Sequence, residues 1–322
     1  MRISGMGMKS VFIQIPSYRD LELQKTIIDA VHQSSGENYL HFGVHNCYLT
    51  DDEMQLDYPK FENAKVSQVN SLAPQNIGLQ LSRKIANNFY DEEDFYLQID
   101  SHMRFVKNWD KHLIDAFSMY QYFGIKKPLI TQYPSTYSYD AQMNERYVPS
   151  REVRNIDYHP TRISFHENKL QFSNIRIPSQ TAMSMDKHCA FTASVSGGFI
   201  FTEGSFHQIT PNPKIAFWGE EPLIAARAFT SGFDLVVPHM DIVWHLYASG
   251  QEQKYVRRHH AWQDFPEIWP KLDSDSKAEY FRIMTQREIG RYALGSERSL
   301  DDFEQFAGLD FRTGKVTQID LR

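Results

Sequence analysis

Asp100 and His102 stand two positions apart near the end of the stretch Phe95-Tyr-Leu-Gln-Ile-Asp-Ser-His-Met-Arg-Phe105. Residues i and i+2 of a strand point the same way. At a strand's C-terminal edge this carboxylate and imidazole can therefore share one divalent cation. A hard-to-borderline ion such as Mn²⁺ accepts both oxygen and imidazole ligands. Such an ion binds phosphate oxygens and neutralises a departing diphosphate. The plainer reading is a strand that ends in a polar turn. Other residues offer chemistry in the same two-sided way. Glu220 and Glu221 open a helix, with Pro222 suited to its first turn, and there they complement the helix dipole or face a substrate. Gly197 and Gly198 either admit a ligand close to the backbone or mark a bulge. Ser101 suits either a ribose contact or a tight turn. His245, in an apolar run, reads as a core residue or as a ligand.

The elements that must position these residues alternate between strand and helix, which predicts an α/β fold with a mostly parallel sheet. A buried first strand runs from Val11 and is stopped by Pro16, and a helix over 21–33 follows, capped by Ser17 or Asp20. Residues 40–49 form a second strand. The stretch 71–86 contains a helix with Leu79, Ile85 and Ala86 inward, and Arg83 on it reads ordinarily as a solvated residue. The Asp100 strand comes next, then a helix over 109–117 and a strand over 128–133. Residues 134–190 read as irregular, a length that suggests an acceptor-binding elaboration. A strand over 193–201, a helix from Glu221, and short strands over 232–238 and 242–247 complete the series. Gly-x-Gly-x-x-Gly is absent after the first strand, which counts against a dinucleotide enzyme. Beyond Ser249 the composition turns basic, with Lys254, Arg257, Arg258, His259 and His260 beside Tyr255 and Trp262, and then helical.

With 41% hydrophobic and 23% charged residues in 322, the chain suits a soluble globular protein of one large or two ordinary domains. A net charge of −6 argues against a general nucleic-acid binder. Any phosphate ligand then needs positive charge supplied locally or by a metal. Cys47 and Cys189 have no metal-ligand spacing and read as reduced, buried thiols. The N-terminus has no apolar signal region, and no run approaches the roughly 18 apolar residues of a membrane span. A cytoplasmic location is expected.

Several pieces occur in a telling order: Pro16-Ser-Tyr-Arg19, an Arg-bearing helix, Gln98 to Phe105, Gly197-Gly-Phe-Ile-Phe201, Trp218-Gly-Glu-Glu221 and Trp244-His-Leu-Tyr247. This order resembles the cytoplasmic GlcNAc transferases that attach α-linked GlcNAc to hydroxyproline of an adaptor protein. The similarity spans roughly residues 10–250. More distantly it resembles the polypeptide GalNAc transferases. The resemblance implies a GT-A fold, with a nucleotide-sugar half (about 8–133) and an acceptor half (about 134–250), followed by a basic, helical extension over 251–322. It implies a retaining UDP-sugar transferase that needs Mn²⁺ or Mg²⁺, with UDP-GlcNAc as donor. Asp100, His102 and His245 would be the metal ligands. Ile15, Ser17 and Arg19 would line the uracil and ribose pocket, and Arg83 would approach the nucleotide. Gly197, Gly198, Glu220 and Glu221 would face the donor sugar. The segment before Arg83 matches the pattern only loosely.

Arg257 and Arg258 are expected to close over the diphosphate as a mobile lid. A front-face mechanism, in which the leaving phosphate takes the acceptor proton, is favoured over a double displacement through Glu220 or Glu221. The expected acceptor is a protein or glycan hydroxyl. Three alternatives stand beside this reading. One is a glycan-extending enzyme of a surface-polymer pathway. Another is a non-catalytic sugar- or protein-binding scaffold, which would have no need of the ligand set. The last is a metal-dependent phosphodiesterase, which would show more ligands.

Overall fold

The computed structural model describes residues 7–151, 161–166, 171–172, 175–176, 179–184, 191–247, 255–256 and 258–316. The first unit is strand β1 (Ser10–Tyr18), helix α1 (Leu23–Gln33) and strand β2 (Tyr39–Tyr48). Helix α1 buries Leu23, Thr26, Ile27 and Ala30, one face at helical spacing. Each fully buried Leu or Ile of that face contributes about 1.5–3 kcal/mol. Then come β3 (Ala64–Leu72), α2 (Leu79–Asn87), β4 (Phe95–Ile99), β5 (Met103–Phe105), α3 (Trp109–Tyr122) and β6 (Pro128–Thr131). The later elements are β7 (Phe199–Glu203), α4 (Glu220–Thr230), β8 (Asp234–Val236), β9 (Val243–His245), α5 (Trp269–Gln286) and α6 (Leu300–Ala307).

Seven strands form one sheet in the order β8-β6-β7-β4-β1-β2-β3. All neighbours are parallel except β7, which runs against both β4 and β6. Alternate side chains feed two cores. Val11, Ile13 and Ile15 of β1 and Leu97 of β4 pack with α1 and α3. Phe12 and Tyr96 face the other way, into a core shared with α4, α5 and α6. The sheet is therefore mostly parallel with helices on both faces, the α/β architecture of the GT-A type expected from the sequence. Helices α5 and α6 place Tyr280, Ile283, Met284, Leu300 and Phe303 in the same core as Leu223 and Phe229 of α4.

The strand order reverses beside β1, since β2 and β3 lie on one side and β4 on the other. The crevice at the carboxyl ends of β1 and β4 is the topological switch point, where open α/β sheets bind ligands. A second sheet joins β5 and β9 to the strands Ser135–Tyr139 and Glu145–Val148. Its strand β5 begins just after Asp100 in the chain.

Several local expectations are corrected. Pro16 does not stop β1, which pairs with β2 through Tyr18. Neither Ser17 nor Asp20 is the residue preceding α1; that residue is Glu22, and Asp20 Oδ1 instead accepts its backbone N–H at 3.0 Å. Strand β3 passes unannounced in a polar stretch and forms a sheet edge. Helix α2 begins only at Leu79 and turns Gln80, Ser82, Arg83 and Ala86 inward, while Leu79 and Ile85 are only partly buried. Arg83 is thus not a solvated residue. Part of 134–190 is regular: the pair 135–139 and 145–148, and the antiparallel pair Thr161–His166 with Ser179–Ser184. Cys47 is free and buried, whereas Cys189 lies outside the described residues.

Candidate active site

Asp100 follows β4 directly, His102 leads into β5, and His245 ends β9. Pairing of β9 with β5 sets His245 opposite Met103, which brings the two imidazoles together. Their Nε2 atoms are 2.8 Å apart. Asp100 Oδ2 lies 3.3 Å from the His245 Nε2 and 4.0 Å from the His102 Nε2. Neighbouring ligands around one divalent ion with bonds of about 2.1 Å sit about 3 Å apart. The donor set of one carboxylate and two imidazoles suits such an ion. All three ligand atoms lie within 4.8 Å of one another.

The surroundings agree with that fit. Burial raises the cost of the Asp100 charge, but hydrogen bonding to His245 and the Arg83 guanidinium hold the carboxyl well below its usual range. Burial, with His102 beside it, brings His245 down to about 4, so at neutral pH the ring is uncharged and one of its two nitrogens carries a free lone pair. A Cβ on Gly198 would stand 2.8 Å from Asp100 Oδ2, so only glycine leaves that carboxylate its place. Asp20 is a residue that the sequence offered only as a helix cap. Its Oδ2 lies 2.6 Å from the His102 Nδ1 and accepts the Ser101 hydroxyl at 2.6 Å. A carboxylate on the far nitrogen of a ligating histidine fixes its tautomer and orientation.

Behind Asp100, Arg83 is fully buried. Its Nη2 donates to Asp100 Oδ1 at 3.0 Å and to the Gly197 carbonyl at 2.8 Å. Its Nε donates to Glu220 Oε1 at 2.6 Å. Arg83 therefore ties β4, α4 and the glycine pair into one unit. Glu220 and Glu221 lie on the first turn of α4, after Gly219, whose φ of +87° favours glycine. Burial raises the pKa of Glu220 despite Arg83. Burial, with Glu220 adjacent, raises Glu221 to about 7. Glu221 accepts hydrogen bonds from the Gly197 N–H (2.9 Å), Tyr133 (3.1 Å) and Gln180 (2.6 Å). Tyr133 and Gln180 carried no signal in the sequence.

Two cavities meet at Asp100. One, of about 340 Å³, is lined by Ser17, Tyr18, Asp20, Ser101, His102, Phe217, His245, Arg258 and Trp262. It lies at the switch point and is aromatic on one side. The hydroxyl of Ser17 is buried there with no hydrogen-bond partner, a polar atom left for a ligand. The other, of about 370 Å³, is lined by Arg83, Tyr133, Gln180, Gly197, Gly198, Trp218, Glu220 and Glu221.

The structure thus gathers Ser17, Arg83, Asp100, Ser101, His102, Gly197, Gly198, Glu220, Glu221, His245 and Arg258 around two adjoining cavities. It does not bring Ile15 there; that side chain is in the core with Leu23 and Ile27. Arg19 is committed to ion pairs with Glu53 (2.9 Å) and Asp264 (2.8 Å) and lines neither cavity. Arg258 donates to the Leu246 carbonyl at 2.9 Å, while Arg257 lies outside the described residues.

Residues 46–313 match a family model described as Glycosyltransferase (GlcNAc), a match that extends past residue 250. No curated protein matches the chain. Among solved structures it is similar to GalNAc-T7 crystallised with UDP, GalNAc and Mn²⁺, at 13% identity and a TM-score of 0.45, covering 92% of this chain and 54% of that one. It is also similar to residues 1–349 of S. aureus TarS in complex with UDP-GlcNAc, at 13% identity and a TM-score of 0.42, covering 87% of this chain and 71% of that one. The chain spans about half the length of GalNAc-T7. No helix among the described residues is long and apolar enough to cross a membrane.

Proposed function

We propose that this chain, which belongs to the Glycosyltransferase (GlcNAc) family, is a metal-dependent, retaining enzyme that moves GlcNAc from UDP-GlcNAc to a hydroxyl of a protein or glycoprotein. A cytoplasmic location is part of the same reading. The observation that carries it is the convergence of Asp100, His102 and His245 between an aromatic and an acidic cavity.

In this reading those three residues hold Mn²⁺ or Mg²⁺. A bound cation supplies neutralisation of the diphosphate, without which UDP is a poor leaving group. Tyr18, Phe217 and Trp262 offer stacking surfaces for the uracil, and Ser17 offers its unpaired hydroxyl to the ribose. Arg258 adds positive charge at the diphosphate side. Gly197 and Gly198 admit the sugar close to the backbone, and Glu220 and Glu221 hydrogen-bond its hydroxyls. Arg83 is buried, so its role is to position Asp100 and Glu220 rather than to touch the nucleotide. The acceptor hydroxyl attacks the anomeric carbon from the face that UDP leaves. Its proton passes to the departing phosphate oxygen, so no protein nucleophile is required.

The test is UDP release from UDP-GlcNAc, UDP-GalNAc and UDP-Glc, with and without Mn²⁺. The expected outcome is Mn²⁺-dependent release from UDP-GlcNAc that is lost in Asp100→Ala and His245→Ala. Absence of release or binding with any of these donors in the presence of metal overturns the reading.

A further inference from the structure

A separate cavity of about 260 Å³ opens at the opposite end of α4, between Lys127, Ser205, Arg227, Ser231, Arg291 and Glu297. Arg227, in the last turn of the helix, is only 3% exposed. Its Nε donates to the Ala293 carbonyl at 2.8 Å, and its Nη2 to the carbonyls of Thr210 and Arg291 at 2.9 Å each. Among the described residues no carboxylate pairs with it, and its Nη1 makes no hydrogen bond. Burial brings its pKa down to about 10. The carbonyl end of a helix offsets part of such a charge. A buried guanidinium without a counter-ion is nonetheless a costly arrangement.

Its neighbours add to the positive charge. Arg291 is exposed, lies with its guanidinium 5.5 Å from the Tyr292 ring centroid, and has no ion pair among the described residues. Lys127 Nζ is 3.0 Å from Glu297 Oε1. Three cations therefore face one carboxylate, in a chain whose net charge is −6. Guanidinium groups bind oxyanions through paired N–H donors. The volume lies below the usual range of about 300–1,000 Å³ for drug-sized ligands, so it suits a compact ligand rather than a nucleotide sugar. Glu220 is seven residues earlier on the same helix, about 10 Å along its axis, so this pocket is not part of the donor cavities.

We propose that this cavity is a binding site for a compact oxyanion, a phosphoryl group that is either free phosphate or part of a small phosphorylated metabolite, held by Arg227, Arg291 and Lys127. The surrounding loop is fastened to the helix end, with the Gly295 N–H on Thr230 Oγ1 and the Glu297 N–H on the Thr230 carbonyl, each at 2.8 Å. An anion there bridges loop and helix and stabilises the fold by mass action. The site does not depend on the donor assignment.

Calorimetric titration at low ionic strength with inorganic phosphate, and separately with glucose 6-phosphate, tests it. The expected result is saturable 1:1 binding with a rise in melting temperature. Arg291→Ala and Lys127→Ala each weaken it about tenfold, and Asp100→Ala leaves it unchanged. Tighter binding of glucose 6-phosphate assigns the metabolite, and equal binding assigns free phosphate. No saturable binding of either probe overturns the proposal. So does binding that survives in Arg291→Ala and disappears in Asp100→Ala. These exposed-side variants avoid the folding loss expected on removing Arg227.

Discussion

Asp20 Oδ2 lies 2.6 Å from Nδ1 of His102, while Nε2 of the same ring faces His245 at 2.8 Å. The carboxylate holds the proton on Nδ1 and leaves the Nε2 lone pair free for an ion. Asp20→Asn lets an amide N–H donate to Nδ1 and drives the proton to Nε2. Mn²⁺ affinity is then expected to fall about 10–100-fold, with the melting temperature of the metal-free protein little changed. Mn²⁺ titration followed by electron paramagnetic resonance measures this. Undiminished affinity would show that Asp20 only fastens the β1 loop.

Gly198→Ala inserts a methyl group 2.8 Å from Asp100 Oδ2. The carboxylate must turn away, so Mn²⁺-dependent UDP release is expected to drop at least about tenfold, equivalent to about 1.4 kcal/mol. Circular dichroism should show the fold intact. Full activity in this variant would mean that Asp100 tolerates a different rotamer.

Arg83 has a distinct stability role. It is buried between Asp100 and Glu220, and its removal strands two carboxylates. Arg83→Met is expected to cost about 3–5 kcal/mol in urea unfolding at pH 7. A double variant, Arg83→Met with Glu220→Gln, should recover part of that loss. No recovery would mean that the cost comes from packing rather than from stranded charge.

Glu221 predicts a pH dependence. Its folded pKa is near 7, above the ordinary carboxyl value of 4.5, chiefly through burial. The folded protein keeps a proton that the unfolded chain releases, so stability falls as pH rises from about 4.5 to 7 and is level beyond. Glu221→Gln should remove that slope and be relatively most stabilising above pH 7. Urea midpoints from pH 4 to 8 read it directly, and parallel profiles for both proteins would refute the assignment.

The Asp100–His102 pair was legible as a carboxylate and an imidazole at strand spacing, whereas His245, which in its apolar run reads as core or ligand, was joined to them only by the family resemblance. The α/β alternation was legible from Val11–Ile15 and Phe95–Ile99, which are buried on both sheet faces and so read as apolar runs broken only by Gln14 and Gln98. Strand β3 was not, because an edge strand such as Ala-Lys-Val-Ser-Gln-Val-Asn-Ser-Leu is half solvated and carries little apolar signal. Nor was the burial of Arg83, since the inward face of α2 is polar and its partners come from residues 17 and 137 positions away. Asp20 and Gln180 gained their places only through tertiary contact.

The pairing of β9 with β5 spans only three residues on each side, Val243 with Phe105, Trp244 with Arg104 and His245 with Met103. Side chains alternate along such a ribbon, so a one-residue slip would send His245 to the opposite face and put Trp244 in its stead. On its other side β9 adds only Trp244 with Ser135 and His245 with Thr136, so its alignment rests on few pairs. An ion gripped by His102 and His245 would select the correct alignment over the slipped one. Metal loading would then act as a proofreading step in assembly, and slower backbone hydrogen exchange at Trp244 in the loaded protein would be its signature.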